Sequence, residues 1–230
     1  MLQGINNIVH QNTFLQNEGF GLRFFWGPNN IAHRNNFVDN GLVFGAPQLS
    51  NSAAGNSFSF NSQGNYYNNF DQPSEGCNDL NGDGKCDAQF NFPGGSDQFA
   101  FTDQDGWLPF MKFIGSSSPG YNLTILVSDI EHPLTPFITG VSGSSTPPII
   151  FGNSVIPLAY DGILITWLIY GNFIGATNYI GTTNQYGKGY VNWTIPAWAP
   201  PINLKTAFIT VNPAATQALS VSPAYDINIP

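Results

Sequence analysis

The chain has 230 residues, of which only 9% are charged, and a formal net charge of −8 at pH 7. A phosphate-reading surface needs clustered Lys and Arg, so six such residues in an acidic chain argue against nucleic-acid binding. No run of about 20 apolar residues is present, so no membrane-spanning segment is expected. Solubility must come from neutral Asn, Ser, Thr and Gly, which suits an extracellular or cell-surface setting.

In chain order, the first feature is a repeat. Residues 6–14 and 29–37 are near copies, with Ile8 recurring as Ile31, His10 as His33, Asn12 as Asn35, Phe14 as Phe37 and Asn17 as Asn40. Repeats of this length are solenoid coils. The alternation Ile-x-His-x-Asn-x-Phe has the period of a strand, and Asn-Asn, Asn-Gly and Glu-Gly supply turn residues that tolerate left-handed angles. A parallel β-helix is predicted, with Ile and Phe stacked inside and Asn side chains laddered at the corners. The chain starts almost inside a coil, with no signal-peptide pattern before it. The first coil is therefore expected to need a cover, either further coils or a partner. Ile8 is read as its first inward position.

A degenerate third coil runs through 55–60 and reaches Gly64-Asn65-Tyr66-Tyr67. It continues into Asp79-Leu80-Asn81-Gly82-Asp83-Gly84-Lys85-Cys86-Asp87 and then Gly94-Gly95-Ser96-Asp97-Gln98-Phe99. This order resembles the end of NosD-type right-handed β-helix proteins. There an Asn-x-x-Asn-x-Phe repeat is closed by Gly-Asn-Tyr-Trp, an Asp-x-Asn-Gly-Asp-Gly-x-x-Asp loop and a Gly-Gly-x-x-Asp-x-Tyr-Pro tail. Tyr67 stands where that family usually has Trp, and Phe99-Ala100 stands for Tyr-Pro. The resemblance covers residues 1 to about 110 and implies a β-helix end closed by a calcium loop.

The residues themselves support the same chemistry. Asp79, Asn81 and Asp83 occupy the first, third and fifth positions of a calcium loop, Gly84 the sixth, Lys85 would offer its carbonyl, and Asp87 falls at the ninth. Hard oxygen ligands favour calcium. Phe90 replaces the bidentate Glu of a helix-flanked hand, so Asp97 or Asp71 would complete the shell. A metal-free Asp/Asn/Gly surface turn is the alternative. Cys77 and Cys86, the two cysteines of the chain, bracket the loop and are expected to form a disulfide, hence an oxidising compartment. Two free thiols or a soft-metal pair is the other reading.

His10 and His33 stack at equivalent positions, and NosD-type proteins are linked by name to copper delivery. Without a third ligand of the same kind, the pair is read as structural. Trp26, Tyr66, Tyr67 and Phe70 are candidates for a carbohydrate-stacking platform or for the coil interior. Asp103 and Asp105 are the close acidic pair outside the loop, and their alternation suits a capping or solvated role better than glycosidase chemistry. No Ser-His-Asp order, phosphate loop or His-rich metal motif is present, so the chain is not expected to be an enzyme.

After Trp107 the Asn corners give way to Ile/Val/Thr strands and proline joints. Strands are predicted at 121–128, 135–141, 149–151, 163–170, 178–181, 189–195, 204–211 and 218–221. Residues 182–194 resemble the Thr-Asn-x-x-Gly-x-Gly-x-Val hairpin of immunoglobulin-like modules on prokaryotic surface proteins and invasins, with Trp167 and Trp193 as core aromatics. Asn122 and Asn192 open N-glycosylation sequons. The whole reads as an all-β protein: a short right-handed parallel β-helix over 1–112 followed by an immunoglobulin-like β-sandwich over 113–230. The expected function is an extracellular, calcium-stabilised structural or adhesion protein of the cell surface, self-associating or joining a surface-protein partner through strand edges. The alternative is a β-helix that binds or cleaves polysaccharide on its flank.

Overall fold

A left-handed residue followed by asparagine makes each corner of the N-terminal repeat. Asn6, Gln11 and Gln16 have φ of 58°, 56° and 51°, and their counterparts one repeat later, Asn29, Arg34 and Asp39, have 61°, 55° and 51°. Non-glycine residues hold this conformation at a cost of roughly 1 kcal/mol or more each. The following residue offsets it, because Asn7, Asn12, Asn17, Asn30, Asn35 and Asn40 each donate side-chain hydrogen bonds to the next coil. The computed structural model describes residues 2–42 and 45–230. It is nearly all β with one short α-helix, and it divides after Trp107 into two units.

In the first unit, successive coils carry β1 (Leu2–Gln3), β2 (Ile8–His10) and β3 (Thr13–Leu15), then β4 (Leu22–Trp26), β5 (Ile31–His33) and β6 (Asn36–Val38), then β7 (Leu49–Asn51) and β8 (Tyr66–Tyr67). Strands one coil apart pair in parallel, in the orders β1-β4-β7, β2-β5 and β3-β6-β8. The register sets like on like. Phe14, Phe37 and Tyr67 stack with ring centroids 5.0 and 5.2 Å apart and planes within 8° and 10°. A hairpin of β9 (Phe90–Phe92) and β10 (Gly95–Asp97) turns Phe90 and Phe92 toward the core formed by Leu22, Phe24, Phe37, Leu49, Phe58 and Tyr67.

The inward position of the first coil differs from the expected one. Ile8 is 62% exposed, while Val9 packs against the core and its partner Ala32 is buried. The left-handed backbone of Gln11 turns the chain between β2 and β3. The two-residue alternation therefore does not carry from Phe14 back to Ile8.

The second unit begins with β11 (Phe110–Gly115), which lies wholly on its side of the division. It continues through β12 (Asn122–Ser128), β13 (Pro136–Ser142), β14 (Pro148–Phe151), β15 (Ser154–Ala159), α1 (Gly162–Tyr170), β16 (Ala176–Thr177), β17 (Ile180–Thr182), β18 (Lys188–Thr194), β19 (Ile202–Val211), β20 (Ala218–Val221) and β21 (Tyr225–Ile229). One antiparallel sheet has the order β11-β12-β18-β16, a second is β17-β13-β19 with β20 and β21 both pairing β19, and β14 and β15 pair as a two-stranded sheet. Ile125, Val127, Val191 and Trp193 of the first sheet meet Phe137, Val141, Phe208 and Ile227 of the second in one apolar core.

The segment expected as a strand over 163–170 is α1. Asp161 caps it by accepting from Leu164 N at 2.8 Å, and Leu164 and Trp167 point inward while Ile169 is 61% exposed. A short run that is apolar on every side carries no period that separates strand from helix, and the cap decides.

Candidate functional site

Three columns of amides run along the coils. At the first corner Asn7 Nδ2 donates to Asn30 Oδ1 at 2.8 Å and Asn30 Nδ2 to Asn56 Oδ1 at 3.0 Å. At the third, Asn17 donates to Asn40 at 2.6 Å, Asn40 to Gln48 at 2.7 Å, and Gln48 to Asn68 at 2.6 Å. The middle column is the most buried. Asn12 Nδ2 donates to Asn35 Oδ1 at 3.1 Å, Asn35 to Asn65 at 2.9 Å, and Asn65 to Asp97 Oδ2 at 3.0 Å.

An asparagine both accepts and donates, so it can pass the column on. A carboxylate only accepts, so Asp97 ends it. Asp97 Oδ2 also accepts from the backbone N of Asn65 at 2.7 Å and from Tyr67 Oη at 3.1 Å, and Oδ1 accepts from Phe99 N at 3.0 Å. Residue 64 must be glycine, because a Cβ there would stand 2.0 Å from Asp97 Oδ1. Asp97 was a candidate calcium ligand; the structure places its oxygens in this column. Its identity as a terminus was carried in the sequence by Gly64-Asn65 and the Gly-Gly-x-x-Asp tail, with nothing in the spacing to say that they meet.

Cys77 and Cys86 form a disulfide. Between them the loop is folded on its own side chains: Asp79 Oδ2 accepts from Gly84 N, Asn81 Oδ1 from Asp83 N, Asp83 Oδ1 from Lys85 N, and Asp87 Oδ2 from Leu80 N, each at 2.9 Å. Gly82 and Gly84, with φ of 75° and 83°, make the tight bends. The Gly84 carbonyl accepts from Thr102 and the Cys86 N–H reaches Ala100 O at 2.8 Å, fastening the loop to the 100–102 segment. All the donors offered are hard oxygens, a set suited to calcium. Among the described residues, however, no three His, Cys, Asp or Glu side chains converge closely enough to hold a metal ion.

The proposed aromatic platform is not assembled. Tyr67 is fully buried, Tyr66 and Phe70 nearly so, and Trp26 alone is exposed, at 65%. Tyr66 Oη donates to Asp71 at 2.5 Å, and burial and that carboxylate raise its pKa. Asp105 exchanges hydrogen bonds with the Asn36 side chain at 2.7 and 3.1 Å, and Asp103 accepts from Thr102 Oγ1 at 3.1 Å. His10 and His33 stack at 5.6 Å.

The two sequons lie side by side on β12 and β18. Asn122 faces Thr194 and Thr124 faces Asn192, so each threonine hydroxyl donates to the asparagine of the other sequon, at 2.7 and 3.0 Å. Elsewhere in this unit Asp129 is buried and accepts from Thr210 Oγ1 at 2.7 Å, from Ser220 Oγ, and from His132 Nδ1 at 2.9 Å. The carboxylate stands between hydroxyl and imidazole, an order that fastens strands and does not activate a nucleophile. Comparison of the chain with protein-family models, with curated proteins and with solved structures found no match.

Burial pushes the Asp97 carboxyl up to about 6, against hydrogen bonds from Phe99, Asn65 and Tyr67 that pull it down. The folded chain thus keeps a proton that the unfolded chain has released, so this group's contribution is fully present below about pH 4 and is lost as pH rises through about 6. On the scale of 1.36 kcal/mol per tenfold shift, the loss is on the order of 2–3 kcal/mol. Asp97→Asn keeps an acceptor for Asn65 and removes the titration. Urea unfolding of the first unit at pH 4 and pH 7 should show the parent losing that much more than the variant over the interval. Parallel profiles for the two proteins would contradict the assignment.

Proposed function

We propose that the chain is an extracellular structural or adhesion module of a cell surface, in which a short right-handed parallel β-helix, closed by a calcium-stabilised loop, is followed by an immunoglobulin-like β-sandwich. The observation that carries the reading is the polarity of the three amide columns. Each is closed or turned back at its far end, the middle one on Asp97. At the near end Asn7, Asn12 and Asn17 hold Oδ1 atoms that accept from no donor among the described residues. Leu2, Val9 and Phe14 sit at the same end only partly covered. Such an end fits one more coil of the same repeat, whose amides donate into these oxygens and whose strands extend the three parallel ladders. That coil comes from the same chain or from another copy.

A chain with few charges and one disulfide supports the extracellular placement; among the described residues no helix is long and apolar enough to cross a membrane. The loop chemistry supports the metal: Asp79, Asn81, Asp83 and Asp87 with the Lys85 carbonyl are the residues that would hold calcium. What the ion would supply is neutralisation of the clustered carboxylates.

Assembly is tested on the full natural gene product. Val9→Lys places a charge at the inward position of the first coil and should lower the sedimentation coefficient of the assembled form, or expose a preceding coil to rapid amide exchange, while the disulfide loop and the second unit keep their protection. A strict monomer whose first coil exchanges freely in the parent protein would refute the reading. For calcium, millimolar addition to chelated protein should raise the melting temperature of the first unit by several degrees, and Asp79→Asn with Asp83→Asn should abolish the rise. A melting temperature that calcium leaves unmoved would remove the metal from the account.

A further inference from the structure

The flank of the first three coils carries a groove of about 320 Å³ lined by His10, Gln11, His33, Arg34, Phe60 and Gln63, among others. In a chain of net charge −8 it has no carboxylate in its wall, and it gathers one of six Lys and Arg residues with two of three histidines. Arg34 is fixed there: its Nε donates to Gln63 Oε1, and its backbone is held in the left-handed corner. The guanidinium is the one permanent positive charge of the groove. Beside it stand flat faces. The His10 and His33 rings are stacked at 5.6 Å with planes 16° apart, and Phe60 lies 5.4 Å from His33 at 52°. Among the described residues His33 Nδ1 is buried with no hydrogen-bond partner, and burial, then the charge of Arg34 and the neighbouring His10, lower its pKa, so near neutrality the ring leaves an unused polar atom.

A planar guanidinium pairs best with a carboxylate, and ring faces beside it select a ligand with a ring of its own. Amide side chains at Gln11 and Gln63 offer both donors and acceptors along the wall. We propose that this groove binds a carboxylate carried on a ring, an aromatic acid or a sugar acid, with the carboxylate against Arg34 and the ring against Phe60 and His33. This goes beyond the structural role and does not depend on it.

The test follows the imidazole resonances of the three histidines by NMR at pH 7 while benzoate, benzamide, galacturonate and galactose are added. His132, hydrogen-bonded to Asp129 in the other unit, is the internal reference. The expected result is a saturable shift of His10 and His33 with at least one acid, at least tenfold weaker binding of its neutral counterpart, and a still His132. Benzoate without galacturonate identifies an aromatic acid; the reverse identifies a sugar acid. Arg34→Gln should weaken binding at least tenfold. That variant is one the repeat already accommodates, since Gln11 occupies the equivalent corner with φ of 56° against 55° for Arg34. The proposal is overturned if neither acid moves the two histidines, if the neutral counterpart binds as well as the acid, or if folded Arg34→Gln binds like the parent.

Discussion

The first unit depends on one requirement: a buried side-chain amide must have a partner on each side. An asparagine at a corner can satisfy the coil before it and the coil after it at once, and it must then be satisfied in turn. The middle column meets this by ending on Asp97, an acceptor that hands nothing on. From that single end follow several features of the chain. Gly64 is bare so that the carboxylate can approach, Tyr67 turns its hydroxyl to the same oxygen, and β10 folds back so that Asp97 arrives beneath Asn65. The cost is a desolvated carboxylate, visible in its raised pKa.

The same economy explains why so acidic a chain has so few exposed acid clusters with an evident task. Asp39 accepts from Asn68 at 2.6 Å, Asp71 from Tyr66, Asp105 from Asn36, and Glu75 from the backbone of Asp71 and Gln72. Asp39, Asp71 and Asp105 end side-chain hydrogen-bond chains, and Glu75 satisfies backbone N–H groups at a turn. A net negative charge built this way is a by-product of architecture. The positive groove on the coil flank stands out against it, because no local backbone group asks for its two histidines.

The repeat was legible in the sequence because parallel pairing sets residue on residue: Ile8 on Ile31, His10 on His33 and Phe14 on Phe37 are contacts as well as matches. The all-β class and the disulfide were legible for similar reasons, from alternation and from two bracketing cysteines. Facing was not. The left-handed corner at Gln11 resets the alternation, which put Ile8 outside; for Tyr66, Tyr67 and Phe70, which the residue types left open between a platform and the coil interior, burial selects the interior. In the second unit α1 was hidden because seven of the eight residues 163–170 are apolar and Thr166 alone does not make a polar face that reveals a period, and β15 and β21 because a proline or asparagine interrupts each. The place of Asp97 in the column was hidden for a different reason. Acidic residues near a metal-like loop look alike in sequence, and only the fold brings Asn65 to one of them.

The direct test of the account is the hydrogen exchange of individual asparagine side-chain amides, read by NMR at neutral pH. If the column is anchored on Asp97, protection should fall with distance from it, with Asn65 slowest, Asn35 next and Asn12 fastest, and Asp97→Ala should collapse the order. Equal exchange across the three, or an order that survives loss of the carboxylate, would contradict the claim that this one acceptor holds the stack together.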